Sequence, residues 1–270
     1  MTTFKYGGNI LPQDNFFIGG NNTKRRDYAG HYEGWRHARI TKLISILGGE
    51  NYFKGKRVLE LACGFGHTGE ILAGLGADVV FAEGRRLHVL HTSKFHSPQG
   101  NGVIRLNQNE KWDLSQPVGY DQYVRYGKTL GVSTMEAWPG SIEKATFDLI
   151  IHWGVLYHLE YWQQDLECAL QHTDLMCLES EIADSIDDTY DTKVSESWPD
   201  GAIPGSASGT GAYGSRPSAA HVEKVLRELG CTFVRYDDAD LNFRYHKYDW
   251  EVQNTGTAPP GQRRFWLVRK

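Results

Sequence analysis

The stretch Val58-Leu-Glu-Leu-Ala-Cys-Gly-Phe-Gly-His-Thr-Gly69 carries the reading of the fold. Its opening aliphatic run is what a buried strand requires, and the glycines after it mark a turn that opens a helix. Gly64, Gly66 and Gly69 stand in the GxGxxG spacing, where absent Cβ atoms allow a tight turn and let a ligand lie against the backbone. Glu83 ends the next strand pattern, about twenty residues on, where a carboxylate accepts hydrogen bonds from both hydroxyls of a ribose. Strand, glycine turn, helix and distal carboxylate together point to a nucleoside-containing cofactor.

Glycines at this spacing serve a dinucleotide as well as S-adenosylmethionine, and Glu60 separates the two. A carboxylate inside the first strand, four residues before the first glycine, faces a cationic amino group well but repels a pyrophosphate. A dinucleotide-dependent oxidoreductase is disfavoured on that ground. With Glu60 in place the chain resembles the class I S-adenosylmethionine-dependent methyltransferases, whose first motif has the form hhExxxGxGxxG. The segment Phe147-Asp-Leu-Ile-Ile-His-Trp-Gly-Val-Leu-Tyr-His-Leu159 is similar to the fourth-strand motif of that superfamily. Its Gly-Val-Leu-Tyr-His portion is especially similar to the bacterial wobble-uridine tRNA carboxymethyltransferases and their relatives. Trp35-Arg36, Leu178-Glu179 and Pro217-Ser218 add short matches in the same order, so the resemblance runs over roughly residues 33 to 237.

The remaining patterns fit an alternating α/β plan. Ala38, Ile40, Leu43, Ile44 and Leu47 recur at helical spacing, and Gly48-Gly49 ends that helix. Strands are predicted near 57–61, 78–83, 103–107, 147–153, 174–181, 232–237 and 264–269, with helices over 67–75, 86–96, 160–171 and 218–229. Strands alternating with helices imply a Rossmann-like, seven-stranded, mostly parallel sheet with helices on both faces and an N-terminal helical extension; the resemblance adds that the last strand is antiparallel. The expected organisation is an N-terminal extension and helix over 1–50, then one catalytic domain over 51–270 with insertions near 108–145 and 183–216. Ligands of open α/β sheets bind beyond the carboxyl ends of the strands, so insertions there are expected to shape specificity. The first, Trp112 to Glu143, brings Tyr120, Tyr123, Tyr126 and Trp138, and the second, Ala183 to Arg216, starts acidic and turns glycine-rich.

Composition narrows the partners. The chain has 270 residues, 40% of them hydrophobic, enough for one substantial core. Its 33 acidic and 29 basic residues give a net charge of −4, which offers nucleic acid no global basic field. Arg25-Arg26, Arg85-Arg86 and Arg263-Arg264 are the pairs from which a local basic patch could be built. Cys63, Cys168, Cys177 and Cys231 show no CxxC spacing, so reduced cysteines are expected. No signal-like or membrane-spanning stretch is apparent, and a cytoplasmic protein with no membrane partner is the expectation. Asp184, Asp187, Asp188 and Asp191 match no calcium-loop spacing and no HxxxH pair occurs, so no metal is expected.

The resemblance implies S-adenosyl-L-methionine as cofactor and assigns roles residue by residue. Glu60 approaches the methionine end, Gly64 and Gly66 give close backbone contact, Glu83 holds the ribose, and Trp153 and Tyr157 occupy cofactor-touching positions. Tyr157, Glu179 and Arg216 are the candidate substrate contacts, with a structural ion pair the equal alternative for Glu179. His158, just past the fourth strand, is the candidate general base and His152 the second, because imidazole is well suited to take a proton near neutral pH. The acidic balance favours a small-molecule substrate, with O-methylation of a sugar or nucleotide-sugar hydroxyl as the first reading. A tRNA wobble-uridine modifying enzyme and an inactive cofactor-binding regulatory module are the alternatives.

Overall fold

The aliphatic run in the opening stretch forms β1, Arg57–Leu61, which is buried along nearly its whole length and sits at the centre of the sheet. The structure is a computed structural model, and the residues described are 22–62, 67–83, 103–105, 147–159, 162–195 and 213–270. The other main-sheet strands are β2 (Asp78–Glu83), β3 (Val103–Arg105), β4 (Leu149–Trp153), β5 (Leu175–Glu181), β8 (Thr232–Tyr236) and β9 (Arg263–Arg269), with β6 (Asp191–Ser195) and β7 (Tyr213–Pro217) forming a separate hairpin. The seven-stranded sheet has the order β3-β2-β1-β4-β5-β9-β8. Pairing is parallel from β3 to β5, while β9 runs antiparallel to both β5 and β8. The strand order reverses between β1 and β4, and that is where an open sheet leaves a crevice at its carboxyl edge.

Two layers of helix cover the two faces. Val58, Ile151, Trp153, Cys177 and Phe265 point to the face covered by α1 (Asn22–Ile46) and α2 (His67–Gly74), with Trp35, Ile40, Leu43 and Leu72 in the same cluster. Leu59, Leu61, Ile150, Met176 and Leu178 point the other way, against Trp162 and Leu166 of α3 (Trp162–Leu170) and Val222 and Leu226 of α4 (Ala219–Glu228). The alternation along each strand decides which side chains reach the crevice from which face. α1 stops where the sequence predicts: Gly48 and Gly49 take φ of 86° and 112°, and the Gly49 amide closes on the Ile44 carbonyl at 2.8 Å.

The C-terminal segment locks α1 in place. The Phe243 ring lies against Gly34, where an added Cβ would come within 2.1 Å of Cζ, so only glycine lets helix and loop meet there. Lys42 of α1 bridges to Asp238 at 2.7 Å and Asp240 at 3.2 Å. The same segment is anchored by Asp184, which accepts from the backbone amides of Gln253, Asn254 and Thr255 and from the Thr255 hydroxyl at 2.6 Å. Burial opposes its charge, but those hydrogen bonds outweigh it and hold the carboxyl below its ordinary value. Asp187 is taken up by Thr189, Asp188 by Lys224, and Asp191 by Trp162 and Lys193. The acidic run therefore serves the fold.

The β6–β7 hairpin has no counterpart in the predicted elements. Its strands, Asp-Thr-Lys-Val-Ser and Tyr-Gly-Ser-Arg-Pro, lack an alternating apolar face, and tertiary contacts bury β7 instead. The predicted helix over 86–96, the segment Trp112 to Glu143, Gly64, Gly66, and the pair Arg85-Arg86 lie outside the described residues. No helix among the described residues is long and apolar enough to cross a membrane.

Candidate active site

At the carboxyl end of β1 the Glu60 carboxylate is 6% exposed and accepts from the Gly69 amide at 2.8 Å, at the start of α2. Burial raises its pKa to about 7, against the partial relief given by the Gly69 amide, the Arg36 charge and the Thr68 hydroxyl. Ala62, immediately after the strand, takes φ of 46°, a left-handed conformation that costs free energy in a residue with a Cβ and starts the turn toward the glycines. Glu83 ends β2 one residue beyond Ala82, the register partner of Leu61, so its backbone stands at the same edge. A buried carboxylate poised near neutrality is a receptor for a cation.

The other half of the edge, at β4, β5 and β9, carries a dense polar network. Glu179 of β5 is fully buried and receives three donors: Arg39 of α1 at 3.2 Å, the Tyr248 hydroxyl at 2.9 Å and Arg263 of β9 at 2.8 Å. Trp35 extends the chain by donating to the Tyr248 oxygen at 2.7 Å, and its ring stacks on His246 at 4.0 Å between centroids. The Arg39 guanidinium lies 3.7 Å above the Trp35 ring and 4.9 Å from the Trp153 ring. Trp153 turns its indole N–H to Cys177 Sγ at 3.2 Å, and burial drives that thiol far above its ordinary value. Arg263 and Arg264, read from the sequence as a basic pair, are buried; Arg264 is bound to the Tyr248 and Trp250 carbonyls and lowered to about 10 by burial.

Tyr157 and His158 form the rim. They sit in the 3-10 turn Leu156–His158, entered through Gly154 at φ 70°, and are half-buried with their rings 4.1 Å apart. Arg216 of β7 holds this turn, donating to the Tyr157 carbonyl at 2.5 Å while its Nε meets Glu181 at 3.4 Å. Gly214 lets the hairpin approach so closely, since a Cβ there would lie 2.2 Å from the Tyr157 oxygen. Arg263 reaches the Tyr157 hydroxyl at 3.2 Å.

Placement separates the sequence candidates. Glu60, Trp153, Tyr157 and His158 gather at the carboxyl edge. Glu179 is enclosed by its three donors, and Arg216 is 5% exposed and occupied with Tyr157 and Glu181. His152, the second candidate base, points to the opposite face of the sheet and is fully buried against α3, its Nε2 lying 2.5 Å from Asp165 Oδ2. Alternation explains it: His152 falls between Ile151 and Trp153, both on the α1 face. No motif or spacing in the sequence marks Arg263, Tyr248 and His246 as parts of one site. The one visible signal was an arginine pair opening an otherwise apolar last strand.

Comparison with solved structures shows the same fold. The N-terminal domain of EvdMO1 with SAH bound superposes with a TM-score of 0.52 at 18% identity, over 88% of this chain and 80% of that one. The same domain in the presence of SAH and D-fucose gives 0.51 at 18% identity, over 89% and 83%. Magnesium protoporphyrin IX methyltransferase from Synechocystis PCC 6803 with bound SAH gives 0.49 at 15%, over 94% and 91%. A search of curated proteins finds no match. The sequence matches the family described as Methyltransferase domain over residues 32–236, and with β1, the β4 edge and α4 all inside that span, the chain belongs to that family.

Proposed function

We propose that the protein transfers a methyl group from S-adenosyl-L-methionine to an oxygen of a small molecule, with a sugar or nucleotide-sugar hydroxyl as the substrate. The observation that carries the cofactor is Glu60: a carboxylate 6% exposed, with its pKa raised to about 7, gains a favourable partner when a cation arrives. Glu83 at the end of β2 suits the ribose hydroxyls of the same ligand, and Trp153 and Tyr157 supply aromatic surface across the crevice. When bound, the cofactor supplies an activated methyl group on a positively charged sulfur. The chain's own residues then align the acceptor and handle its proton. A sugar hydroxyl is too weak an acid to attack readily unaided, and His158, half-buried on the rim, is the group proposed to take its proton.

The charge distribution supports a small substrate over tRNA. The chain carries 33 acidic against 29 basic residues, and the buried pair Arg263 and Arg264 contributes nothing to a basic face. The likeness of Gly154 to His158 to the wobble-uridine enzymes keeps tRNA as the second reading, and an inactive cofactor-binding module is set apart by turnover alone.

Calorimetry with S-adenosylmethionine and its demethylated product tests the reading first; binding of NAD and of neither of these compounds overturns it. Labelled cofactor offered with a panel of sugars, nucleotide-sugars and bulk tRNA then identifies the acceptor. Transfer into tRNA, with an affinity that falls steeply with salt, would replace the small-molecule reading. His158→Ala is expected to lower turnover by about 10²- to 10⁴-fold with cofactor affinity and thermal stability retained. Lost stability with normal turnover per folded molecule would make His158 structural.

A further inference from the structure

Arg263 is 3% exposed, and its guanidinium links the Tyr157 hydroxyl to Glu179 and His246. Its Nε donates to His246 Nδ1 at 3.0 Å and one terminal nitrogen donates to Glu179 at 2.8 Å, which together fix the plane of the group. The other terminal nitrogen is thereby aimed at the Tyr157 hydroxyl, 3.2 Å away, with Glu181 at 3.6 Å on its flank. A guanidinium can only donate, so at this contact the Tyr157 oxygen accepts and the phenolic proton is directed away from Arg263.

We propose that Arg263 is a positioning residue that holds the Tyr157 hydroxyl as a directed hydrogen-bond donor to a substrate oxygen beside the one that is methylated. The inference rests on the methyl-transfer reading above. Tyr157 then offers a proton while the adjacent His158 accepts one, a pairing that suits two neighbouring oxygens such as vicinal hydroxyls or a hydroxyl beside a ring oxygen. In the step itself the nucleophilic oxygen forms its bond to the methyl carbon as the sulfur–methyl bond breaks. The hydroxyl proton passes to His158, the sulfur keeps the electron pair, and the Tyr157 proton stays in its hydrogen bond.

Charge reinforces the geometry. The Tyr157 ring has the Arg216 and Arg263 guanidinium carbons 4.7 and 5.0 Å from its centroid. Glu181 lies against both arginines and Glu179 against Arg263, and the His158 ring lies tilted against that of Tyr157. The contact to the oxygen itself comes from a cation. A hydroxyl whose oxygen accepts from a cation loses its proton more easily and donates more strongly.

Carbon-13 labelling at the tyrosine Cζ position, with the Tyr157 signal identified by its loss in Tyr157→Phe, reads this directly. Arg263→Gln should move the Tyr157 titration upward by about one pH unit or more, with Arg263→Lys in between. An unmoved Tyr157 titration in an Arg263→Gln protein that still folds overturns the proposal. With a sugar that the protein methylates, Tyr157→Phe, which keeps the ring and removes the hydroxyl, should raise the sugar's KM about tenfold or more; an unchanged KM is equally fatal. A protein that binds no SAH and methylates no sugar sinks the methyl-transfer reading, and the Arg263–Tyr157 coupling is then judged by the titration alone.

Discussion

Glu60 and Glu179 are both buried carboxylates on the α1 face of the sheet, at the carboxyl ends of β1 and β5, and their surroundings differ sharply. Glu179 has Arg39, Arg263 and Tyr248 around it, two of them cations. Glu60 has one backbone amide, the Thr68 hydroxyl and the more distant charges of Arg36 and Arg39, and its pKa rises to about 7. A saturated buried charge is finished as structure, whereas an under-compensated one stores a preference for a ligand that brings the missing charge. The contrast divides the crevice into a β1 end whose carboxylate is left poised and a β4–β5–β9 end that is already braced.

The braced end should suffer most from losing its centre. Glu179→Ala leaves Arg39 and Arg263 buried without their acceptor, and removing one partner of such a pair costs about 3–5 kcal/mol. Chemical denaturation measures it, and Glu179→Gln, which keeps acceptors but no charge, should fall between. A loss below 1 kcal/mol for the alanine variant would show the network to be open to solvent and break the contrast. A smaller effect is expected at the hairpin. Gly214→Ala drives a Cβ to within 2.2 Å of the Tyr157 carbonyl and 3.0 Å of an Arg216 nitrogen, and the carbonyl cannot yield as a flexible side chain would. The expected cost is about 1–3 kcal/mol in thermal unfolding, with turnover falling further than stability because the displaced turn carries Tyr157 and His158.

The two ends also differ in how far the sequence betrays them. The glycine spacing, Glu60 and the β4 motif are local patterns set by what a single strand and turn need, so β1, α2, β4, α4 and β9 could be read within a residue or two, while the antiparallel direction of β9 came from the resemblance alone. The braced end is built from α1, β5, the loop around His246 and Tyr248, and β9, which are far apart along the chain and meet only through tertiary packing. Nothing near Arg263 announces that Glu179 will be its partner. His152 shows the same limit at short range: its imidazole beside the β4 motif suggests a base, while strand alternation sends it to Asp165 on the far side.

The smallest effects are the sharpest test of the poised end. Glu60→Gln should weaken S-adenosylmethionine binding by about 1–3 kcal/mol, since a hydrogen-bonded charged partner is lost, and leave the fold no less stable. The pH dependence carries the sign. Glu60 has an ordinary pKa of 4.5 and about 7 in the fold, so the folded chain without ligand favours the protonated form. Its contribution to stability is fully present below 4.5 and is lost as pH rises through about 7. A cationic ligand favours the ionised form instead, so binding should expel a proton below about pH 7 and affinity should rise with pH, by at most about tenfold per unit, before levelling off. Calorimetry in two buffers of different ionisation enthalpy counts that proton. Proton release in Glu60→Gln equal to that of the unmodified protein would place the titrating group elsewhere and leave Glu60 as one more braced carboxylate, no different in kind from Glu179.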